Sequence, residues 1–530
     1  MDESELKRPG EKLPIGIQAF ETLRGQGYLY VDKTRWIHRM VTQGMFYFLA
    51  RPRRFGKSLL MSTLKCLFEG RRELFKGLWI AEHGEWDWQT HPVIVLDFNG
   101  IGHSTPEELR GELMTALART AYRHQLRLQS AAIVSGFGEL VEALHHKRGM
   151  PVVVLIDEYD KPLIDHLGRG EAGLEIARAN REILRSFFGV LKDTIVSPLL
   201  RFVFLTGVSR FSRVSVFSEL NNLQDLSMNP AYADMLGYTQ EELETRFAPH
   251  VAAFAHQQGW MPDAVRARLA QQYNGYRFTE RDVRVYNPFS ILNALSDQTF
   301  GNYWFTSGTP TFLVNLLREK QYDLSQIEGL EVDPSVFSTY EIDRLRLEAL
   351  LFQTGYLTIS DVQASIYRLD YPNQEVKTSF TKALLYAVGE GIEERASSQV
   401  LRLARHLQRE ELDAFFEAMT AIFAAIPYTL SAQRDEAYFH TIFYLALTAS
   451  GVDATSELLT SRGRVDLGVQ FADKVYVFEF KCGQSAAVAL AQIQARGYAE
   501  RYGGSGRKII LVGINFDPAT RNVAEWQVIG

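Results

Sequence analysis

Short, nearly continuous apolar runs alternate with longer amphipathic stretches over residues 15–228. The runs Phe46–Leu49, Val93–Leu96, Val152–Ile156 and Phe202–Leu205 are rich in β-branched and aromatic side chains. A half-exposed strand alternates apolar and polar positions, so an unbroken run predicts a strand covered on both faces, as in a parallel sheet. Between the runs, Leu59–Phe68, Pro106–Leu128 and Glu171–Val190 carry helical spacing, which supplies the crossovers that parallel strands require.

The pattern changes near residue 229. Helical segments dominate from there to about 400, broken by Asn274-Gly275, Asn287-Pro288 and Gly308-Thr309-Pro310, all turn-forming combinations. Helices continue from Val400 to Ile426, and a second α/β pattern follows. It predicts a helix at Arg434–Ser450 and strands at Glu457–Leu459, Val465–Gln470 and Val475–Phe480. A helix at Val488–Tyr502 and a last strand at Lys508–Ile514 complete it. The expected division is a flexible tail (1–14), an α/β domain (15–228), a helical lid or spacer (229–400) and a second α/β domain (401–530). A chain of 530 residues exceeds what one core can organise.

Composition narrows the class. An apolar fraction of 46% and a charged fraction of 23% are those of a globular protein. The net charge of -6 excludes a constitutive coat on nucleic acid, which needs a basic excess; contact with DNA or RNA calls for a local groove. The 2 cysteines, Cys66 and Cys482, form neither a disulfide framework nor a four-cysteine zinc site. The polar start MDESELKRPGEK has no apolar signal region, and no run approaches the roughly 18–20 apolar residues that cross a membrane. The expected location is the cytoplasm, without a membrane partner.

Chemistry concentrates in two places. Residues 46–60 read as strand, loop and helix, and Gly56-Lys57-Ser58 matches the end of the Walker A pattern. Glycine lets the backbone turn tightly beside phosphates, and the N–H groups that open the next helix point at the anion. Lys57 is expected to reach the outer phosphates and the Ser58 hydroxyl to bind Mg²⁺; Arg53, Arg54, Phe55, Gly56 and Leu59 complete the nucleotide-binding set. The first glycine of the pattern is Arg51 here. With Arg53 and Arg54 it crowds positive charge onto the loop, which suits a triphosphate and equally a surface patch. The run from Val152 ends in Asp157-Glu158, a Walker B arrangement in which Asp157 holds Mg²⁺ and Glu158 polarises the attacking water. A third run ends in Thr206-Gly207-Val208-Ser209-Arg210. Thr206 and Ser209 are candidate γ-phosphate sensors and Arg210 and Arg213 candidate arginine fingers, with simple loop solubility as the competing reading.

The second place is Asp466, followed by Glu479 and Lys481. Side chains repeat with period two along a strand, so Glu479 and Lys481 share a face, and a hairpin brings Asp466 alongside. Two carboxylates bind Mg²⁺ or Mn²⁺ as hard oxygen ligands, and a lysine beside them positions or deprotonates a water. Glu436 is a further candidate metal carboxylate, and Gln492 and Tyr498 are candidate substrate-orienting residues. The competing reading is a structural Glu–Lys pair on a half-exposed hairpin. Arg462, Arg464, Arg496, Arg501, Arg507 and Lys508 are candidates for a local basic stripe, or scattered surface charges.

Together these strings resemble a bacterial family of AAA-ATPase-like proteins fused to a PD-(D/E)xK-superfamily nuclease domain. The resemblance rests on Leu13-Pro14-Ile15-Gly16, Tyr30-Val31-Asp32-Lys33-Thr34, the distinctive Arg51-Pro52-Arg53-Arg54-Phe55-Gly56-Lys57-Ser58, and Leu155-Ile156-Asp157-Glu158-Tyr159-Asp160-Lys161-Pro162. Phe211-Ser212, Leu220-Asn221-Asn222-Leu223, Tyr273-Asn274-Gly275-Tyr276 and Tyr286-Asn287-Pro288-Phe289-Ser290 extend it. It covers nearly the whole chain, is weakest from about 325 to 425, and makes Arg51 family-typical. It implies an α/β architecture: a P-loop NTPase parallel-sheet domain, a helical middle region and a restriction-endonuclease-like C-terminal domain. It also implies ATP with Mg²⁺ at Lys57, Ser58, Asp157 and Glu158, and a nuclease core of Asp466, Glu479 and Lys481.

The leading expectation is an ATP-regulated, metal-dependent nuclease, with DNA favoured over RNA as partner. The alternative is an NTP-driven switch, or an ATPase that forms homo-oligomers, whose C-terminal domain binds nucleic acid or protein without cutting.

Overall fold

The computed structural model describes residues 11–210, 222–306, 311–319, 327–337, 346–388, 392–426, 436–460, 463–497 and 506–530. Contacts divide the chain into two compact units, one of Met1–Gly308 with Glu331–Asn373 and one of Thr309–Leu330 with Gln374–Gly530. The stretch 229–400 is apportioned between them.

In the first unit five strands, β1 (Phe46–Ala50), β2 (Val93–Asp97), β3 (Val152–Asp157), β4 (Leu200–Gly207) and β5 (Gln224–Asp225), lie in the order β2-β3-β4-β1-β5, and every pairing is parallel. β1 and β3 are buried along their whole length, as their unbroken apolar runs require. β4 lies between β1 and β3, so three strand ends that carry polar residues stand side by side. Leu49, Val153 and Phe204 of the sheet pack with Leu60, Leu64 and Phe68 of the helix Lys57–Phe68 in one core. A second cluster joins Leu243, Phe254, Leu269 and Ile291 from the helices Gln240–Arg246, Ala248–Gln258, Pro262–Tyr273 and Pro288–Asp297. Asn287 starts the last of these by accepting hydrogen bonds from the Phe289 and Ser290 N–H groups, so Asn287-Pro288 opens a helix as well as ending a loop.

Three local expectations are corrected in the first unit. The helix that begins at Pro106 ends at Arg123, short of Leu128, where Gln125 turns left-handed at φ 56°. A helix at Ile133–Arg148 was not anticipated. Its Gly136 and Gly138 weaken intrinsic propensity, but a Cβ on Gly136 would stand 3.2 Å from the Met114 sulfur, so packing fills the space. The middle region also contains a sheet of β6 (Leu330–Val332), β7 (Thr358–Gln363) and β8 (Ile366–Asp370) in the order β6-β8-β7.

In the second unit β9 (Asp453–Thr460), β10 (Gly463–Gln470), β11 (Lys474–Cys482), β12 (Lys508–Asp517) and β13 (Asn522–Ile529) form a sheet in the order β13-β12-β11-β10-β9. β11 and β12 are parallel and are the pair that the helix Ala486–Ala495 links. Val475 and Val477 pack with Leu490 and Ile493 of that helix. Phe478 and Phe480 meet Phe443 at 5.5 and 5.1 Å between ring centres, on the helix Glu436–Ala449. The sheet therefore has helices against both faces. Lys508–Ile514 is not the last strand: β12 runs on to Asp517 and β13 follows. The helix expected at Val488–Tyr502 spans Ala486–Ala495, and Gly497 is left-handed at φ 60°.

Candidate functional site

The first candidate site lies where β1, β3 and β4 end. After Ala50 the chain forms a loop and enters the helix at Lys57, with Gly56 at φ 91° and no side chain capping the helix start. That backbone angle favours glycine, and the uncapped N–H groups suit a phosphate. Lys57 is buried; its Nζ donates to the carbonyls of Arg51 (3.1 Å) and Pro52 (3.2 Å) and lies 3.3 Å from Glu158 Oε1. The Ser58 hydroxyl donates to Asp157 Oδ2 at 2.7 Å, so the two predicted Mg²⁺ ligands are already together. Burial, then the neighbouring Glu158 charge, pushes the Asp157 carboxyl up to about 6. A hydroxyl beside a carboxylate strained by burial is a donor set that fits Mg²⁺.

Arg53, Arg54, Phe55, Gly56, Lys57, Ser58, Leu59 and Glu158 all line one cavity of about 560 Å³. Its other walls include residues that sequence reasoning missed: Asp97 at the end of β2 and Asn99 after it, and Lys161 and Asp165 after β3. Asp97 pairs in register with Asp157; an acid at the end of an apolar run was the available signal. The Asp32 carboxylate accepts from the Thr34 and Trp79 N–H groups, and Lys33 is held by Glu242 and the Asp234 carbonyl.

Arg51 occupies the place of the missing glycine as a structural group. It is 2% exposed, stacks at 4.2 Å on the Phe278 ring and donates to the carbonyls of Ala50 and Ser227. Burial lowers its guanidinium to about 9, against the pull of Asp225. The candidate γ-phosphate sensors and the candidate arginine finger Arg210 each make bonds within the fold. Thr206 is buried and donates to the Leu49 carbonyl at 2.7 Å. Ser209 donates through both its N–H and hydroxyl to Asp160 at 2.6 Å. Arg210 pairs with Asp225 at 2.6 Å and donates to the Phe337 carbonyl. Arg213 lies outside the described residues.

The second candidate site is on β10 and β11. Glu479 is fully buried; its Oε1 accepts from Gln492 Nε2, while Oε2 has no hydrogen-bond partner. Burial first, and Asp466 next, push this carboxyl up to about 8. Asp466 Oδ2 accepts from the Phe480 N–H at 2.8 Å, which ties the acid of β10 to the strand carrying Glu479. Lys481 Nζ stands 3.8 Å from both Glu479 and Glu436 and donates to the Phe480 carbonyl. Burial also raises the Glu436 carboxyl. Among the described residues no three His, Cys, Asp or Glu side chains are grouped so as to hold a metal ion. The unpartnered buried oxygen of Glu479 and the adjacent Asp466 are hard oxygen donors of the kind a divalent cation takes.

Tyr498, Arg462 and Arg501 lie outside the described residues. Arg507 donates to Gln470 and Lys508 pairs with Glu410 at 2.7 Å. Among the described residues no helix is long and apolar enough to cross a membrane.

A parallel sheet with a Gly-Lys-Ser loop facing an acid-tipped strand defines a P-loop nucleotide-binding protein, and the Asp466, Glu479 and Lys481 sheet adds a second body with a nuclease-type acid pair. Residues 14–217 match the family model described as predicted AAA-ATPase, and residues 434–526 match that of the PD-(D/E)XK nuclease superfamily. A protein of Azotobacter chroococcum mcd 1, described as an uncharacterized protein in vnfD 5'region, is 40% identical over 532 residues, covering 98% of this chain and 99% of that protein. No solved structure matches. The chain belongs to the family of AAA-ATPase-like proteins that carry a C-terminal PD-(D/E)XK nuclease superfamily domain.

Proposed function

We propose that this protein is an ATP-regulated, divalent-metal-dependent DNA nuclease. The observation that carries the reading is the pairing of two buried acid sites with lysines: Asp157 and Glu158 beside Lys57 and Ser58, and Asp466 and Glu479 beside Lys481. In the first site Lys57 would exchange Glu158 and the loop carbonyls for the outer phosphates of a bound nucleotide, Ser58 and Asp157 would hold Mg²⁺, and Glu158, freed from Lys57, would orient a water. In the second, Asp466 and Glu479 would hold Mg²⁺ or Mn²⁺, and Lys481 would position a water beside the phosphodiester. A divalent ion bound there would supply Lewis acidity. Gln492 fixes the Glu479 carboxylate, and Glu436 takes part of the Lys481 charge.

The test is cleavage of single- and double-stranded DNA with Mg²⁺ or Mn²⁺, with and without ATP, in the full chain and in Lys57→Ala and Glu479→Ala. Cleavage lost in Glu479→Ala, and responsive to ATP only when Lys57 is intact, is the expected result. ATP hydrolysis without cleavage under any condition overturns the nuclease assignment in favour of a switch that binds without cutting.

A further inference from the structure

Thr206, Ser209 and Arg210 are not among the residues that line the cavity, so a group that does line it is the better candidate to distinguish a triphosphate from a diphosphate. The cationic side chains that line the cavity are Lys33, Arg53, Arg54, Lys57 and Lys161; Arg53 and Arg54 precede Gly56 in the loop, and Arg54 lies over the Phe289 ring at 4.7 Å. Lys33 is buried in its pair with Glu242. Lys57 belongs to the phosphate loop. Lys161 sits one turn beyond Glu158: its N–H donates to the Glu158 carbonyl at 3.0 Å, and Glu158 itself is left-handed at φ 53°. That bend carries the chain back along the cavity wall.

The Lys161 side chain is 28% exposed and rests on Asp165 at 2.5 Å. The same Asp165 oxygen is 3.1 Å from His103 Nε2, and His103 is oriented by its own Nδ1 contact with the Ile101 carbonyl at 2.7 Å. Asp165 therefore has two partners, one fixed and one on a flexible stem. If Lys161 departs, the carboxylate keeps His103. A lysine ammonium is a compact charge whose stem reorients cheaply, and an anion with greater charge than a carboxylate outcompetes it for that ammonium.

We propose that Lys161 is a second phosphate-binding cation that exchanges Asp165 for the γ-phosphate of a bound nucleoside triphosphate, with His103 holding Asp165 during the exchange. This inference rests on reading the cavity as a nucleotide site. Lys161 discriminates triphosphate from diphosphate, because only the longer chain reaches beyond Lys57 toward Glu158 and its following turn.

The experiment is calorimetric titration of the full chain, in Mg²⁺, with a non-hydrolysable ATP analogue and separately with ADP. Lys161→Met is expected to weaken analogue binding about 10- to 100-fold, the range of one charge-assisted hydrogen bond, and to leave ADP binding within about twofold. Lys161→Arg retains most of the preference. Asp165→Asn keeps Lys161 but weakens its resting pair, and is expected to tighten the analogue a few-fold. Equal loss of both ligands in Lys161→Met, or weaker analogue binding in a folded Asp165→Asn, overturns the proposal. Failure of the unaltered chain to bind either ligand instead removes the nucleotide reading itself, a result distinct from binding without discrimination.

Discussion

Replacing Glu479 with glutamine isolates the cost of holding an acid inside the second unit. The folded carboxyl is raised from 4.5 to about 8, so the native state holds this proton over a pH range where the unfolded chain has released it. Below the unfolded value both states are protonated and the group costs nothing. The penalty grows as pH rises through this window and is complete above about 8. At about 1.36 kcal/mol per unit, the full penalty is on the order of 4–5 kcal/mol. Glutamine removes it while keeping an oxygen for Gln492, but its amide places an N–H group where Oε2 has no partner, which costs about 1–3 kcal/mol. The net gain at high pH is then about 1–4 kcal/mol. Thermal unfolding of the full chain in chelator, at intervals from pH 5 to 9, reads this directly. The transition of the second unit is expected to fall with pH in the unaltered protein and to be flatter in Glu479→Gln, by about 2–4 °C per kcal/mol for a body of this size. Mg²⁺ at pH 8 should raise the transition of the unaltered protein and leave the variant's unchanged. Parallel pH profiles would refute the claim that Glu479 is destabilised by burial.

Other outcomes follow from single contacts. Thr206→Val removes the bond to Leu49 and should cost about 1–2 kcal/mol of stability while ATP turnover stays within about threefold; a turnover loss beyond about 100-fold with stability intact would instead assign Thr206 the sensor role. Gly275→Ala should destabilise the first unit by about 3 kcal/mol or more in denaturant titration, because φ is 110° and the new Cβ would sit 2.0 Å from the Pro372 carbonyl oxygen; a change under about 1 kcal/mol contradicts it. Because Asp157 is raised to about 6, its proton competes with Mg²⁺ below that pH, and the Mg²⁺ concentration for half-maximal ATP turnover should climb as pH falls from 7 to 5.5. A flat Mg²⁺ requirement over that range argues against Asp157 as a ligand.

What was legible from sequence depended on how locally each feature is encoded. β1, β3 and β4 announced themselves because burial on both faces leaves an unbroken apolar run; β2, at the sheet edge with Val95 exposed, carries the same kind of run without that burial. β5, with only Gln224 and Asp225, has no such signature and is placed by pairing with β1. The β7–β8 hairpin was hidden because its turn, Ala364-Ser365, adopts φ 47° and 67° with neither the asparagine nor the glycine that normally advertise it. Gly-Lys-Ser and the paired acids were readable because phosphate and metal chemistry restrict residue type. The partners of Thr206, Ser209 and Arg210 were not. Each bond joins residues far apart in sequence, and a polar residue at a strand end looks the same whether it faces a ligand or seals a loop.

Arg51 shows how such sealing changes the meaning of a motif. A glycine at that position lets a phosphate loop turn without side-chain interference; this chain places its bulkiest cation there and buries it. The guanidinium lies on Phe278 and donates to carbonyls at the end of β1 and after β5, while Phe55 packs edge-on against Tyr276 and Phe278 at 4.8 and 5.4 Å. The loop is thus supported from behind by Tyr276 and Phe278, and Gly355 lets the backbone close on it, since a Cβ there would stand 2.7 Å from Pro52. Support of this kind leaves the front of the loop, Gly56 to Ser58, open to the cavity. The departure from the usual phosphate-loop pattern at Arg51 and the glycine at 355 are therefore two parts of one packing solution. Arg51→Gly, which restores the usual pattern, is expected to weaken both stability and nucleotide binding, because it leaves the carbonyls of Ala50 and Ser227 without this donor and Phe278 without its stacking partner. Nucleotide titration together with thermal unfolding checks it, and tighter binding in Arg51→Gly would show that the loop does not depend on its rear support.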